Sequence, residues 1–172
     1  DFTTTTTNEL GQPQIVHKDQ FFSFGEKGQV LDVPIEISSY VTSEVNPVMK
    51  IGGEAINLSA LAANGLALVV LHGGNKANKT IQFYDESNVS QLNNDLNALV
   101  EGDLIALVTR GTITSKFDES IYQALEAFGS EKVRDTSAGA VFSMIGIKGI
   151  QTGNAFESFQ NEPESIINRL LM

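Results

Sequence analysis

The sequence contains no cysteine, which excludes disulfide bonds, thiolate nucleophiles and cysteine-based zinc sites but leaves the redox compartment open. Only two histidines are present, so metal sites and catalytic triads built on histidine have few residues to draw on. Basic residues are also scarce: 11 Lys and Arg stand against 21 Asp and Glu, for a net charge of −10. Because that charge repels nucleic acid and anionic membrane surfaces, neither is expected as a partner.

Long hydrophobic runs are missing as well. The longest strongly apolar run, residues 66–71, is far shorter than the ~20 residues that a helix needs to cross a bilayer, so no membrane insertion is expected. A hydrophobic share of 41% and a charged share of 19% in 172 residues are typical of a globular protein with one main core. The chain starts at Asp1 without Met or a signal peptide, which favours a piece of something longer.

The first 47 residues differ in composition from the rest. Five consecutive threonines, Thr3–Thr7, lack an apolar face, so residues 1–19 are interpreted as a threonine-rich linker, either a disordered tether or a glycosylated or fibre-neck stalk. Residues 20–47 are interpreted as a β-rich arm or as the first strands of the domain, with Phe21, Phe22 and Phe24 leading the pattern. Pro34 should place the second of these strands at an edge or break it. The main domain is expected over residues 48–172.

Apolar runs bounded by glycine and polar turns predict most of the strands of the main domain. The alternating segment Lys79–Asp85 is typical of a half-buried return strand, paired through the turn at residues 73–75. The predicted strands are Val48–Ile51, closed by a Gly-Gly pair, then 65–72, Lys79–Asp85, 103–109 and 140–148. Residues 54–63 are left open between a short helix and an irregular turn.

Apolar residues at helical spacing predict two helices. The first has Val89, Leu92, Leu96 and Leu99 on one face, with Ser87 as N-cap and Gly102 after its end. The second carries Phe117, Ile121, Leu125 and Phe128, with Ser115 or Thr114 as cap and Gly129 in the left-handed terminal position; a third is expected to begin at Pro163 and run to residue 171. The fold class is therefore α/β of the α+β type, with mixed, mostly antiparallel sheets forming a sandwich-like core flanked by two to three helices.

The order of these segments resembles the interleukin-like EMT inducer domain family, over about two thirds of the chain. That family includes secreted PANDER-type proteins and the glycan-binding stem domain of an O-mannose N-acetylglucosaminyltransferase. The most specific matches are Lys-Phe-Asp-Glu at 116–119, Leu-Glu-Ala-Phe-Gly-Ser at 125–130, Arg-Asp-Thr at 134–136, Gly-Ile-Lys-Gly-Ile at 146–150 and Phe-Glu at 156–157. The chain departs from the family in lacking its disulfide cysteines and the aromatic residue that follows its Arg-Asp pair.

The resemblance implies two sheets flanked by helices and a lectin-like module that binds N-acetylhexosamine-type glycans without chemistry. By position, Asp85 matches the end of the family's Phe-Asp strand and Arg134 its Arg-Asp loop. Tyr84, Asp85, Arg134 and Asp135 are therefore the candidate ligand-binding residues, since planar polar groups and aromatic faces suit sugars. The structural alternative is an ordinary ion pair beside a half-buried tyrosine.

No catalytic or cofactor pattern stands out. His72-Gly73-Gly74 is superficially like the oxyanion-hole loop of lipases, but a Gly-x-Ser-x-Gly elbow is absent, so an enzyme is not expected. Asp118-Glu119 and Asp85-Glu86 are too sparse for a calcium loop, and the glycines lack the spacing of a phosphate-binding loop. Neither a metal nor another cofactor is expected.

Two functions remain open at this point. The first is glycan recognition by a secreted, cell-surface or virion protein such as a phage tail fibre, and the second is a purely structural capping or assembly domain of such a protein. Homo-oligomerisation, for instance as a trimer, is a hypothesis for the β-rich arm, because aromatics on both faces of a strand need cover.

Overall fold

In a computed structural model of the chain, residues 35–40 and 46–160 are described, along with the backbone of five further short strands. The strands before the first helix are β1 (Thr3–Thr7), β2 (Pro13–His17), β3 (Ser23–Phe24), β4 (Gln29–Val30), β5 (Ile35–Tyr40), β6 (Val48–Ile51), β7 (Glu54–Ala55), β8 (Gly65–Leu71) and β9 (Lys79–Asp85). Then follow α1 (Leu92–Asn97), β10 (Leu104–Arg110), α2 (Glu119–Glu126), β11 (Val141–Ile147), β12 (Phe156–Gln160) and β13 (Ser165–Leu170).

A five-stranded antiparallel sheet with the order β12-β11-β10-β8-β9 forms the centre of the domain. Strands β8 and β11 are buried along their whole length, and β10 is buried except at Arg110. This burial on both faces explains why these three strands are continuous apolar runs rather than alternating ones. The predicted return strand β9 pairs with β8 and lies at the edge of the sheet, where Tyr84 is its one buried residue.

A second antiparallel sheet, ordered β13-β5-β6-β7, packs on one face of the first. Between the sheets lies an apolar core to which Ile35, Ile37, Met49 and Ile51 contribute from one side, and every second residue of β8 and β10 from the other. Because side chains alternate between faces along a strand, the intervening residues of β8 and β10 point away from this core. Two packed antiparallel sheets with two helices confirm the predicted α+β fold class.

The helices cover the opposite face of the five-stranded sheet and enclose a second core. Both helices contribute aliphatic side chains at the predicted spacing, Leu92 and Leu96 from α1, Ile121 and Leu125 from α2. Phe128 and Phe142 are completely buried between helix and sheet. The central sheet is therefore sandwiched between a sheet on one side and helices on the other.

The helix caps differ from the prediction. Ser87 does not cap α1: its N–H and hydroxyl both donate to Asp85, and α1 begins only at Leu92, after a 3₁₀ turn over Val89–Gln91. The cap of α2 is Asp118 rather than Ser115 or Thr114, since its Oδ1 accepts the N–H of Ile121 at 3.0 Å. Residues 113–116 form a 3₁₀ turn that delays the helix.

The prediction of a third helix from residue 163 to 171 is wrong. Residues Ser165–Leu170 form strand β13, which pairs antiparallel with β5 over its whole length. Ile166 and Ile167 are β-branched, and backbone pairing with β5 outweighs the helix-start preference of Pro163. Pairing between distant segments cannot be read from a local pattern.

The threonine run is also a strand rather than an unstructured tether, because β1 pairs antiparallel with β2. Threonine is β-branched and favours extended backbone, which the interpretation as a tether neglected. Strand β5 lies within the predicted arm in sequence but belongs to the sandwich, where Ile35 and Ile37 are buried. Phe21 and Phe22 lie outside the described residues, and the division of the chain at residues 19 and 47 stays a prediction.

Candidate functional site

The motif at residues 146–150 holds the helices against the sheet. Gly146 lies in β11 against the backbone carbonyl of Phe128, where a Cβ atom would overlap the carbonyl oxygen. Lys148 reaches the carboxyl end of α1, where its Nζ donates to the carbonyl oxygens of Leu96, Asn97 and Leu99 at 3.3, 3.3 and 2.6 Å. A cation at a helix carboxyl end stabilises the exposed carbonyls there.

The Phe-Glu motif at 156–157 also has a structural role. Glu157 accepts hydrogen bonds from the Ser130 hydroxyl at 2.6 Å and from the Glu131 N–H at 2.6 Å. The same Ser130 oxygen accepts the N–H of Val133 at 3.2 Å, so one chain of hydrogen bonds links β12 to the segment that carries Arg134. The side chains of Ser130 and Glu157 therefore have their hydrogen-bond partners within the domain, and these motif residues have a structural role.

Arg134 belongs to an exposed group that we call the Arg134 cluster, made of Glu119, Tyr122, Glu126 and Arg134. The guanidinium binds Glu126 through Nε and Nη2, at 2.8 and 2.9 Å, and Glu119 through Nη1 and Nη2, at 2.6 and 2.9 Å. It also lies 5.4 Å from the centroid of the Tyr122 ring. The carboxylates, Glu126 first, raise the pKa of Arg134, and Arg134 in turn lowers that of Glu119.

These four bonds occupy four of the five N–H groups of Arg134. The arginine therefore connects the 3₁₀ turn Val133–Thr136 to α2 and has one N–H group left for another partner. Its neighbour Asp135 is exposed, and among the described residues only its backbone N–H takes part in a hydrogen bond, to the carbonyl oxygen of Lys132. Of the two predicted residues in this loop, Asp135 has the more accessible side chain.

Tyr84 is buried at the end of β9, with 1% of its surface exposed. Its hydroxyl donates to Asp95 Oδ2 at 2.6 Å, which connects the edge strand to α1. Burial, followed by the bond to Asp95, raises the pKa of Tyr84 well above its ordinary value. The hydroxyl is thus occupied by a hydrogen bond within the fold.

This burial predicts a stability that falls in alkaline solution. The folded-state pKa of Tyr84 is raised, so its contribution is complete below the unfolded-state value of about 10 and is lost as the pH rises above it. We expect Tyr84→Phe to cost about 1 kcal/mol at pH 8, by loss of the bond to Asp95, and progressively less above pH ~10. Urea unfolding of both proteins at several pH values measures this difference; a difference that stays constant to pH ~11.5 contradicts the assignment.

Asp85 is exposed at the last position of β9, and its orientation is fixed by its neighbours. Its Oδ1 accepts the hydroxyl and the N–H of Ser87 at 2.5 and 2.8 Å, and its own N–H donates to Asn88 Oδ1 at 2.7 Å. These bonds, that of the Ser87 hydroxyl first, lower the pKa of Asp85. The carboxylate therefore stays ionised at neutral pH.

Asn64 connects the ends of three neighbouring strands beside Asp85. Its side-chain N–H donates to Glu86 Oε1 at 2.7 Å, just after β9, and its carbonyl oxygen accepts the N–H of Thr112 at 2.8 Å, just after β10. Glu86 is also 3.8 Å from Lys116 Nζ. The amide of Asn64 and the carboxylate of Glu86 are thus held together at this end of the sheet, next to Asp85 in the chain.

Arg110, which was not among the predicted site residues, lies at the same end of the sheet. Gly65 pairs with Asp85 on one side and with Arg110 on the other, which places Arg110 two strand spacings, about 10 Å, from Asp85 on the same face. Its Nη1 donates to the carbonyl oxygen of Leu61 at 3.2 Å, which fixes the side chain. We call Asn64, Asp85, Glu86 and Arg110 the Asp85 surface.

The structure does not bring the predicted pair Asp85 and Arg134 together. The turn with Arg134 packs against β11, β12 and α2, at least three strand spacings, about 14 Å, from β9. The two residues also belong to different faces, because Asp85 shares the face of Phe83, toward the second sheet, while Val133 packs among the helices. The predicted residues thus form two sites, and whether either binds a ligand stays a prediction.

A comparison of the sequence with a protein-family model tests the family relationship that the motifs predict. The model of the interleukin-like EMT inducer family matches residues 64–150, 87 of the 172 residues and so just over half of the chain. The chain belongs to the interleukin-like EMT inducer family. No curated protein sequence matches it.

The match to the interleukin-like EMT inducer family begins at Asn64 and ends at Ile150. It therefore contains β8 to β11, both helices and the whole Asp85 surface, together with the Arg134 cluster. The family indicates an extracellular module of the cytokine-like or carbohydrate-binding kind and is not known as an enzymatic one. None of the helices in the described part of the chain has the length and apolar content of a membrane span.

The His72 loop has a structural role in this member of the interleukin-like EMT inducer family. Residues His72–Gly74 form a 3₁₀ turn, and the N–H of Gly73 donates to the buried Asp103 at 2.8 Å rather than pointing at a ligand. Within residues 35–40 and 46–160, no three His, Asp or Glu side chains come together as a metal site requires.

Proposed function

We propose that the chain is a non-catalytic, lectin-like module that recognises a glycan through the Asp85 surface. The observation that supports this most is the alignment of Asp85, Asn64, Glu86 and Arg110 across the ends of three adjacent strands. Carboxylate, carboxamide and guanidinium groups hydrogen-bond two neighbouring hydroxyls at once, which is the geometry that a sugar ring offers.

The surface is prearranged for such binding. Ser87 and Asn88 fix Asp85, Asn64 is held from both sides, and Arg110 is tied to Leu61. A ligand therefore meets side chains whose conformational entropy is already reduced, and less affinity is lost on binding. Gly65 lies between Asp85 and Arg110 and is buried under Ala62, whose Cβ and carbonyl oxygen would each be 3.2 Å from a Cβ at residue 65.

The loop of Arg134 and Asp135 is the second candidate surface. Asp135 offers an exposed carboxylate beside the guanidinium and the Tyr122 ring. Arg134, however, is already held by two carboxylates, so a sugar there has one N–H and Asp135 to bind. We favour the Asp85 surface because it presents more groups whose orientation is fixed.

A glycan array probed with the chain on a multimeric carrier tests the proposal, since single sugar sites are weak and gain through avidity. We expect binding to N-acetylhexosamine-containing glycans that Asp85→Ala reduces at least tenfold and that Asp135→Ala leaves unchanged. Loss with Asp135→Ala alone assigns binding to the second surface. No binding to any glycan by the multimer, with a folded chain, contradicts the lectin function.

In that last case the structural alternative, a capping or assembly domain of a fibre or surface protein, is the better account. We also propose that the parent protein is secreted, displayed on a cell or part of a virion such as a tail fibre, with the extracellular setting of the family as support. Self-association as a trimer through the arm at residues 20–47 remains a proposal that solution mass of the full chain tests.

A further inference from the structure

Strand β9 is the edge of the central sheet, and within the described residues no strand pairs with its outer side. His72 and Asn78 form a hydrogen-bonded pair next to the hairpin turn. Because such pairs alternate in antiparallel strands, the N–H and C=O groups of Lys79, Ile81, Phe83 and Asp85 point outward. The side chain of Asn88 accepts the N–H of Asp85, whereas the outward N–H groups of Ile81 and Phe83 have no hydrogen bond within the described part of the chain.

The side chains of these same residues form a self-complementary row. Lys79, Ile81, Phe83 and Asp85 share one face of β9, with a cation at one end, an anion at the other and two apolar residues between. Ile81 is 41% exposed, an unusual degree for a large apolar residue beside a core, and Phe83 is only partly buried. Exposed edges are normally blocked by an inward charge, a proline or a bulge, and the middle of β9 has none of these.

We propose that two copies of this chain pair through β9, antiparallel about a two-fold axis at Gln82. In that register Ile81 of each copy lies opposite Phe83 of the other, and Lys79 lies opposite Asp85 at both ends. Ile81 and Phe83 exchange four backbone hydrogen bonds across the axis, two for each pair, without displacing Asn88 from Asp85. The two five-stranded sheets become one sheet of ten strands.

Charge and burial select this register over its neighbours. A shift by two residues places Ile81 opposite itself or Phe83 opposite itself, and in both cases Lys79 and Asp85 no longer face each other. The central register is the one that pairs both ends with opposite charges and both apolar residues with each other. On the helix face, the exposed Gln82 then lies against its own symmetry mate.

The pairing and the proposed glycan contacts share one residue, Asp85, which faces Lys79 of the other copy. The four backbone hydrogen bonds of the pair are made by Ile81 and Phe83, which are not part of the Asp85 surface, and the proposed ligand contacts extend from Asp85 toward Asn64 and Arg110. A two-fold pair would nevertheless hold two Asp85 surfaces in one assembly, which raises the effective affinity for a repeating glycan.

A single cysteine at residue 82 tests the register directly, since the chain has no cysteine of its own. Gln82 and its symmetry mate form a non-hydrogen-bonded pair with Cα atoms about 4.5 Å apart, a separation that permits a disulfide. Gln82→Cys should therefore form a covalent dimer in a glutathione buffer. The matched control is Thr80→Cys, exposed on the same face, which meets Tyr84 of the other copy and should stay a thiol.

Sedimentation of the cysteine-free full chain gives the second readout. We expect dimer formation at high micromolar concentration that Ile81→Lys abolishes, because the new charge is buried opposite Phe83. A Gln82→Cys variant that cross-links no faster than Thr80→Cys overturns the proposal. So does a chain that stays monomeric, or one whose association is unchanged by Ile81→Lys, which would place the contact elsewhere, for instance in the arm.

Discussion

Replacing Gly146 by alanine is expected to destabilise the domain by about 3 kcal/mol. The added Cβ would overlap the carbonyl oxygen of Phe128 and lie 3.0 Å from Met144 Cε. The carbonyl cannot easily retreat, because Phe128 is completely buried and the next residue, Gly129, bonds through its own carbonyl oxygen to Gly153 and Ala155. The strand or the helix end must therefore shift, and the close packing of the interior spreads that strain.

Equilibrium unfolding in urea measures the effect as a lower midpoint with an unchanged slope. Gly74→Ala gives a comparison without steric overlap: nothing lies within 4 Å of its Cβ position, and its φ of +75° makes the left-handed backbone cost about 1–2 kcal/mol, a cost that Gly146, whose φ is not positive, does not incur. Equal losses for the two variants would show that the carbonyl oxygen of Phe128 does not lie close enough to Gly146 to exclude a Cβ atom.

Replacing Asp103 by alanine should cost about 2–4 kcal/mol, because two backbone donors lose their acceptor. Asp103 has 4% of its surface exposed, and its carboxylate accepts the N–H of Gly73 at 2.8 Å and that of Val100 at 3.0 Å. Its backbone carbonyl also accepts the N–H of Lys148. Asp103 thus joins the β8–β9 turn, the loop after α1 and the end of β11.

Asp103→Asn is the control for this prediction, since its amide keeps one acceptor oxygen while its NH₂ group cannot accept the second N–H. We expect a loss between that of alanine and zero, together with faster amide hydrogen exchange at Gly73 and Val100 in both variants. An alanine variant as stable as the unmodified chain would mean that water replaces the carboxylate at no cost.

The sequence was sufficient to predict the strands that form continuous apolar runs. Strands β8, β10 and β11 are buried on both faces, so their position follows from composition and their bounds were predicted within one residue or so. The cap of α2 was missed because Thr114, Ser115 and Asp118 are all cap formers, and the 3₁₀ turn that excludes the first two depends on tertiary packing.

The candidate site could be predicted only in part. Asp85 was found because a motif marks the end of β9, and Arg110 was missed because its proximity results from two strand pairings rather than from sequence spacing. Similarly, nothing local to Arg134 indicates that Glu119, fifteen positions away, occupies two of its five N–H donors. Pairing among distant side chains is information that a single sequence does not display.

Amide shift mapping by NMR shows directly whether this interleukin-like EMT inducer domain binds glycan through the Asp85 surface. Titration of the ¹⁵N-labelled chain with the best glycan from the array should move the signals of Asn64, Gly65, Asp85, Glu86 and Thr112 together, with one dissociation constant. The signals of residues 119–136 should stay in place. Shifts confined to residues 119–136, or no shift anywhere at millimolar glycan, would contradict the account.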